Sequence, residues 1–125
     1  MIKSYRDLIV WQKAVKASLG VYQITSTFPK SEMFGLTSQM RRAAVSIPSN
    51  IAEGRSRNTR KDFTQFLRIA HGSTAELQTQ LEIARELSFV SQTDYNKLAG
   101  ILSEISRMLN SIITKLRAPN LTASS

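Results

Sequence analysis

The chain has 125 residues and a formal net charge of +8, from 17 lysines and arginines against nine aspartates and glutamates. It contains no cysteine, which excludes disulfides, thiol nucleophiles and cysteine-based metal sites and fits a reducing cytoplasm. No stretch approaches the roughly 18 apolar residues of a membrane span, and the start of the sequence lacks the apolar core of a signal peptide. These features predict a cytoplasmic protein without a membrane partner, and the charge favours nucleic acid or another anionic surface as partner.

Apolar residues recur at three- and four-residue steps through most of the chain, which predicts an all-α fold. We expect helices over residues 7–27, 35–53, 59–88 and 92–117, within one domain over residues 1–118. The polar end of the sequence, residues 119–125, is expected to be disordered.

The first helix should end before Phe28-Pro29, because a residue that precedes proline disfavours the helical conformation. Its expected buried stripe follows helical spacing and consists of Leu8, Trp11, Val15, Leu19 and Tyr22.

The second helix contains a proline, Pro48, inside its apolar pattern. The missing N–H removes the bond to the Ala44 carbonyl, which should bend the helix, although two shorter helices remain an alternative. Ser46 and Ser49 are expected to satisfy the freed backbone groups, and Gly54 is expected to stop the helix. The buried stripe should comprise Leu36, Met40, Ala43, Ala44, Ile47 and Ile51.

The third and fourth helices begin with the same signal, a hydroxyl residue followed three positions later by aspartate. These pairs are Thr59 with Asp62 and Ser91 with Asp94. The expected buried stripes are Phe63, Leu67, Ala70, Thr74, Leu77, Leu81 and Ala84 in the third helix and Tyr95, Leu98, Leu102, Ile105, Leu109, Ile112 and Leu116 in the fourth.

Short connections between long helices favour antiparallel neighbours, so the simplest architecture is an up-down-up-down four-helix bundle. Such a bundle gathers the beginning of the chain, the second connection and the end of the fourth helix at one tip. Eight cations and three carboxylates then share that tip, for a net charge of +5: Lys3, Arg6, Arg55, Arg57, Arg60, Lys61, Lys115 and Arg117 against Asp7, Glu53 and Asp62.

Arginine suits phosphate because its guanidinium group donates parallel hydrogen bonds and stays charged. Lys115 and Arg117 are also explained by the dipole at a helix end, whereas Arg60 and Lys61 lie at a helix start, where cations are disfavoured. Arg41 and Arg42 could contact nucleic acid or pair with Glu53, Glu76 or another subunit. The predicted nucleic-acid-binding residues are Arg41, Arg42, Arg55, Arg57, Arg60, Lys61 and Arg68.

The residues give no active site, and we expect no enzymatic activity, cofactor, metal or small-molecule substrate. The single histidine, His71, has no nucleophile or ligand partner nearby in its pattern. Glu82 and Glu86 are one turn apart, but the Glu-x-x-His pattern of di-metal bundles is absent.

The long third and fourth helices carry more apolar residues than one stripe needs. A second stripe can face another helix of the same bundle or another subunit, and we favour self-association. The expected interface residues are Phe66, Ile69, Ile83, Leu87, Ile101 and Met108.

Four segments together resemble the four-helix bundle family encoded by 23S rRNA intervening sequences and its relatives, the accessory variability proteins of diversity-generating retroelements. The matching segments are YRDLIVWQKA (5–14), FPKSEMFGLTSQMRRAAVSIPSNIAEG (28–54), RKDFTQFLRIAHGSTAELQTQLEIAREL (60–87) and the helix from Tyr95 to Leu116. The resemblance covers roughly nine tenths of the chain. His71 departs from the small or polar residue that is usual before Gly72.

The resemblance implies a homopentameric ring of four-helix protomers, a basic surface that binds nucleic acid and no established enzymatic activity. In the retroelement relatives the ring also associates with a reverse transcriptase. The sequence therefore predicts a non-enzymatic oligomeric scaffold that binds RNA or DNA mainly through phosphates. The alternative is a protein-interaction adaptor, such as a partner of a reverse transcriptase, whose cations meet an acidic protein.

Overall fold

The computed structural model describes residues 3–117, and the tail expected over 119–125 lies outside them. The described residues form four α-helices and no strand. The helices are α1 (Ile9–Thr25), α2 (Leu36–Arg55), α3 (Arg60–Glu86) and α4 (Gln92–Arg117). A 3-10 turn over Tyr5–Asp7 precedes α1, and a second one over Lys30–Glu32 lies between α1 and α2.

Each helix packs against the next one in the chain, and α1 also packs against α4. The Phe28 and Phe89 rings, 5.4 Å apart between centroids, join the connection after α1 to the connection after α3. The other connection, between α2 and α3, therefore lies at the opposite tip with the beginning of α1 and the end of α4. The chain is an all-α, up-down-up-down four-helix bundle, as its sequence predicts.

The core is built from the stripes predicted for α2, α3 and α4. Met40, Ile47 and Ile51 of α2 and Leu67 and Leu77 of α3 are fully buried in one core. The α4 stripe is buried from Leu98 to Leu109, and Ile113 rather than Ile112 continues it towards the tip. Both predicted caps are confirmed, because the hydroxyls of Thr59 and Ser91 each accept a hydrogen bond of 3.1 Å from the backbone N–H three residues later.

The stripe predicted for α1 is wrong. Its buried face consists of Val10, Ala14, Ala17, Ser18, Val21 and Thr25, whereas Leu19 and Tyr22 are exposed. Leu8 and Trp11 pack only at the edge of the core, and Val15 is half-buried. The prediction followed the largest apolar side chains, but the packing of α1 against α2 and α4 uses small residues, which allow helices to approach closely.

α2 continues through Pro48 as one helix, as predicted, but the residue that satisfies the Ala44 carbonyl is not the predicted one. Ser18 Oγ, from α1, donates a 2.9 Å hydrogen bond to that carbonyl. The Ser46 hydroxyl instead shares a 2.8 Å hydrogen bond with Ser73 of α3, and Ser49 is exposed. The backbone acceptor that proline leaves free is thus used to join two helices.

Replacing Ser18 by alanine should lower the free energy of unfolding by about 1–3 kcal/mol, because a buried carbonyl loses its donor. In a Pro48→Ala background the restored N–H can bond to the Ala44 carbonyl, so the same replacement should cost clearly less. Urea unfolding of the four variants of this cycle measures both costs. Equal costs in the two backgrounds would contradict the assigned role of Ser18.

Gly54 does not stop α2, which continues to Arg55, and the glycines of residues 3–117 have no positive φ. The prediction is wrong because Gly54 serves packing instead. A Cβ at this position would lie 2.7 Å from the Phe66 Cβ and 3.3 Å from the Phe63 carbonyl oxygen. The absence of a side chain lets α3 approach α2 next to the tip.

None of the helices within residues 3–117 is long and apolar enough to cross a membrane.

Candidate nucleic-acid interface

Within residues 3–117, a groove at the tip is lined by four cations and by no carboxylate. It has a volume of about 490 Å³ and runs between the beginning of α3 and the end of α4. It is lined by Arg60, Lys61, Thr64, Gln65, Arg68, Leu116 and Arg117. We call it the tip groove.

Helical spacing explains why these side chains converge. Arg60, Thr64 and Arg68 are four residues apart and lie on the same side of α3, with Lys61 and Gln65 beside them. Because α4 runs antiparallel to α3, its last residues reach the same level and add Arg117. The tip groove therefore concentrates positive charge with hydroxyl and amide groups that can donate hydrogen bonds.

Arg60 and Lys61 are the first two residues of α3. A helix N-terminus carries a partial positive charge, so cations here are unfavourable for the fold by a few tenths to about 1 kcal/mol each. Asp62 belongs to the same turn but does not line the tip groove. The position of these two cations is unfavourable for the helix and favourable for an anion in the groove.

Two other cations of this tip, Arg57 and Arg6, make contacts within the chain. Arg57 Nη2 lies 2.9 Å from Glu53 Oε2, and the Arg57 guanidinium lies 5.0 Å from the centre of the Phe66 ring. Arg55, the last residue of α2, is half-buried. Arg6 lies 5.5 Å from the Tyr5 ring, which itself packs edge-on against Trp11. Arg57 is therefore partly neutralised, whereas no carboxylate of the described residues lines the tip groove.

Arg41 and Arg42 do not join the tip groove. They lie near the beginning of α2, and 14 residues separate Arg41 from Arg55, which is about 21 Å along a helix. Arg41 Nε donates a 2.9 Å hydrogen bond to Thr25 Oγ1, and its guanidinium lies 4.6 Å from the centre of the Tyr22 ring. Of the seven predicted binding residues, only Arg60, Lys61 and Arg68 line the tip groove.

Sequence reasoning counted Arg117 among the cations of the tip but left it out of the predicted binding residues, because the helix dipole also explains it. Thr64 and Gln65, which line the tip groove with Arg117, were not predicted either. The signal for all three was the antiparallel topology, which places the last turn of α4 beside the first two turns of α3.

The six predicted interface residues fall into two groups. Ile69, Ile83 and Leu87 are about half exposed on α3, and Phe66 is half-buried beneath Arg57. Ile101 and Met108 of α4 pack partly buried against the core of their own chain. Only the α3 members present a broad apolar surface to the outside.

A polar cluster at the opposite end fastens α4 to α3. The Tyr95 hydroxyl donates a 2.7 Å hydrogen bond to Glu82 Oε1, and Arg85 pairs with the other oxygen of the same carboxylate. The Arg85 hydrogen bond, followed by that of Tyr95, lowers the pKa of Glu82. The bond to Glu82 raises the pKa of Tyr95.

These shifts predict the pH range in which the cluster stabilises the bundle. The Tyr95 contribution should be complete below the ordinary tyrosine pKa of about 10 and lost as the pH rises through the raised folded-state pKa. The Glu82 contribution should be present above the ordinary glutamate pKa and lost as the pH falls through the lowered one. The stability difference between wild type and Tyr95→Phe, from urea unfolding across this range, should therefore shrink in alkali. A difference that stays constant with pH would contradict this role.

His71 Nε2 lies 3.2 Å from Ser106 Oγ across the α3–α4 contact, which gives the histidine a structural partner. Within residues 3–117, no three His, Asp or Glu side chains come together in a way that could hold a metal ion. Gln80 of α3 donates a long hydrogen bond of 3.4 Å from its Nε2 to Glu76 Oε2 on the same helix.

The fold and the tip groove together define an antiparallel four-helix bundle protein with a concentrated cationic end. Residues 6–111 match the model of the 23S rRNA-intervening sequence protein family. The chain belongs to this family.

A solved structure supports the fold. The chain is similar to the 1.70 Å crystal structure of a protein of unknown function from the S23 ribosomal protein family of Bacteroides thetaiotaomicron. The two share 24% sequence identity and a TM-score of 0.78, over 85% of this chain and 96% of the other. No curated protein sequence matches the chain.

Proposed function

We propose that this chain is a non-enzymatic, oligomeric scaffold of the cytoplasm that binds RNA or DNA through the phosphates. The observation that carries the proposal is the tip groove, where Arg60, Lys61, Arg68 and Arg117 converge and which no carboxylate of residues 3–117 lines. The family name refers to an rRNA insertion, which agrees with a nucleic-acid context but does not define the ligand.

The chemistry of the groove favours the nucleic-acid backbone over the bases. No aromatic ring of the described part of the chain lines it, so base stacking has no platform among these residues. Arginine and lysine contacts to phosphate carry no sequence information. Binding should therefore tolerate different sequences, and no cofactor, metal or small-molecule substrate is part of the proposal.

Oligomerisation would multiply the effect of one small groove. Linked copies of a weak site bind a long polyanion far more tightly than one copy does, provided that the sites can engage together. The half-exposed apolar residues Ile69, Ile83 and Leu87 support self-association, and the resemblance suggests a pentamer.

The experiment that tests the proposal is the salt dependence of binding. Fluorescence anisotropy with a labelled RNA and a labelled DNA duplex should give an affinity that falls roughly 100-fold between about 50 and about 200 mM salt if four phosphates are contacted. An affinity for both ligands that does not respond to salt would contradict the proposal. If an acidic protein, such as a reverse transcriptase, binds the tip groove more tightly than nucleic acid does, the adaptor function is the correct one instead.

A further inference from the structure

Two exposed apolar surfaces lie on the two flanks of α2, and a groove of about 390 Å³ that is lined by both Arg42 and Glu76 runs between them. The first, which we call the arginine face, lies between α1 and α2 and consists of Tyr22, Met33, Phe34, Arg41, Arg42 and Val45. The second, which we call the glutamate stripe, runs along α3 and consists of Ile69, Glu76, Ile83 and Leu87.

Phe34 is the most unusual residue of the arginine face. It directly precedes Gly35 and α2, and its side chain is 96% exposed. Met33 and Tyr22 beside it are about half exposed, and together they border a groove of about 590 Å³. A continuous exposed apolar patch of this kind marks a contact surface.

Among residues 3–117, the groove of the arginine face is lined by two cations and no carboxylate. The glutamate stripe has the opposite character, since the Glu76 carboxylate lies between Ile69 and Ile83 at seven-residue spacing on one side of α3. Arg42 of the same chain lines a groove with Glu76, but no cation of residues 3–117 lies within 4.0 Å of the Glu76 carboxylate. Next to it, Gln80 is 5% exposed, and its Oε1 has no hydrogen-bond donor within the described chain.

We propose that the arginine face of one copy of this chain docks on the glutamate stripe of a second copy, with Phe34 against Ile69 and Ile83 and the arginines facing Glu76. The inference rests on the self-association proposed above and specifies its geometry. Charge decides between the possible pairings. Two arginine faces that met across a two-fold axis would bring four arginines together, whereas the arginine face and the glutamate stripe attract each other.

This contact joins two different surfaces, so every copy offers one of each. Such a head-to-tail contact repeats from copy to copy and closes into a ring when the rotation allows it. The tip groove lies on α3 and α4, away from the arginine face, so assembly by this contact leaves it open for a polyanion.

Two single variants and their mixture test the proposal by native mass spectrometry of the full chain. Phe34→Glu blocks the arginine face and Ile83→Glu blocks the glutamate stripe, and both positions are exposed enough for the bundle to fold, which circular dichroism checks. Each variant alone should be a monomer. Their 1:1 mixture should form a heterodimer and nothing larger, because one intact arginine face meets one intact glutamate stripe.

Other outcomes overturn the inference. If Phe34→Glu or Ile83→Glu forms assemblies with the wild-type number of subunits, the surface that carries the substitution is not in the contact. If the mixture of the two variants stays monomeric, the two surfaces are not partners. A Phe34→Glu variant that assembles normally but binds single-stranded RNA at least tenfold more weakly would show that Phe34 stacks on bases instead.

Charge reversal gives an independent readout. Arg42→Glu and Glu76→Arg should each weaken assembly at least tenfold. Because Arg42 and Glu76 also line one groove of the same chain, the rescue is measured in a 1:1 mixture of the two single variants, in which opposite charges meet only between chains, and this mixture should recover most of the loss. The Arg60→Glu, Lys61→Glu variant is the matched control, since its assemblies should keep the wild-type number of subunits while its affinity for nucleic acid falls. Failure of the docking inference and failure of nucleic-acid binding are therefore distinguishable.

Discussion

A double replacement, Arg60→Glu with Lys61→Glu, is expected to weaken nucleic-acid binding on the order of 100-fold at about 0.1 M salt. The two side chains line the tip groove, and their loss removes two of its four cations while adding two carboxylates. The free energy of unfolding of the same double variant should exceed that of wild type by a few tenths to about 2 kcal/mol in total, because acidic residues stabilise the first turn of a helix.

The opposite signs of the two effects exclude unfolding as the cause of lost binding. The matched control is Lys30→Glu with Lys97→Glu, which changes the net charge by the same amount at the far end of the bundle. This control should lose only a few-fold in affinity, since charges far from the ligand are screened. Equal losses in the two double variants would show that net charge, and not the tip groove, governs binding.

Replacing Gly54 by alanine is expected to lower the free energy of unfolding by about 1–3 kcal/mol, despite the higher helix propensity of alanine. The new Cβ would lie 2.7 Å from the Phe66 Cβ and 3.2 Å from Phe63 Cδ1, so that α2 and α3 must separate. Because Phe66 also lies beneath Arg57, the separation would disturb the tip as well. Thermal and urea unfolding measure the loss.

Gly72→Ala is the matched control for Gly54→Ala. Gly72 lies within α3, is exposed, and a Cβ there would meet nothing within 4 Å. Alanine at this position should therefore raise the free energy of unfolding by up to about 1 kcal/mol. If both glycine variants were stabilised, the close approach of α3 to Gly54 would not be the reason for that glycine.

The helices, their caps and three of the four core stripes follow from the sequence, because each depends on local spacing. Thr59 and Ser91 cap the helices that their positions predict. The α1 stripe could not be predicted in this way, since Ala14 and Ala17 are buried by the geometry of neighbouring helices and not by their own size. The donor to the Ala44 carbonyl, Ser18, is 26 residues away in the chain, and local pattern gives no sign of it.

The candidate site was predicted in part. The sequence placed the cations at one tip, since topology follows from short connections, but it could not distinguish cations that pair within the chain from those that line a groove. Arg57 pairs with Glu53, while Arg68 and Arg117 face the tip groove from different helices. That distinction depends on side-chain directions, which helical spacing fixes only for residues of the same helix.

Site-specific cross-linking is the most direct test of the tip groove as the phosphate-binding surface. The chain has no cysteine, so a photoreactive group can be attached at one introduced position. Gln65→Cys places it in the tip groove, and Thr79→Cys places it on an exposed position of the same helix farther from the tip. Cross-linking to a labelled RNA or DNA should follow the binding curve from position 65 and stay at background from position 79, whereas equal or stronger cross-linking from position 79 would contradict a phosphate-binding tip.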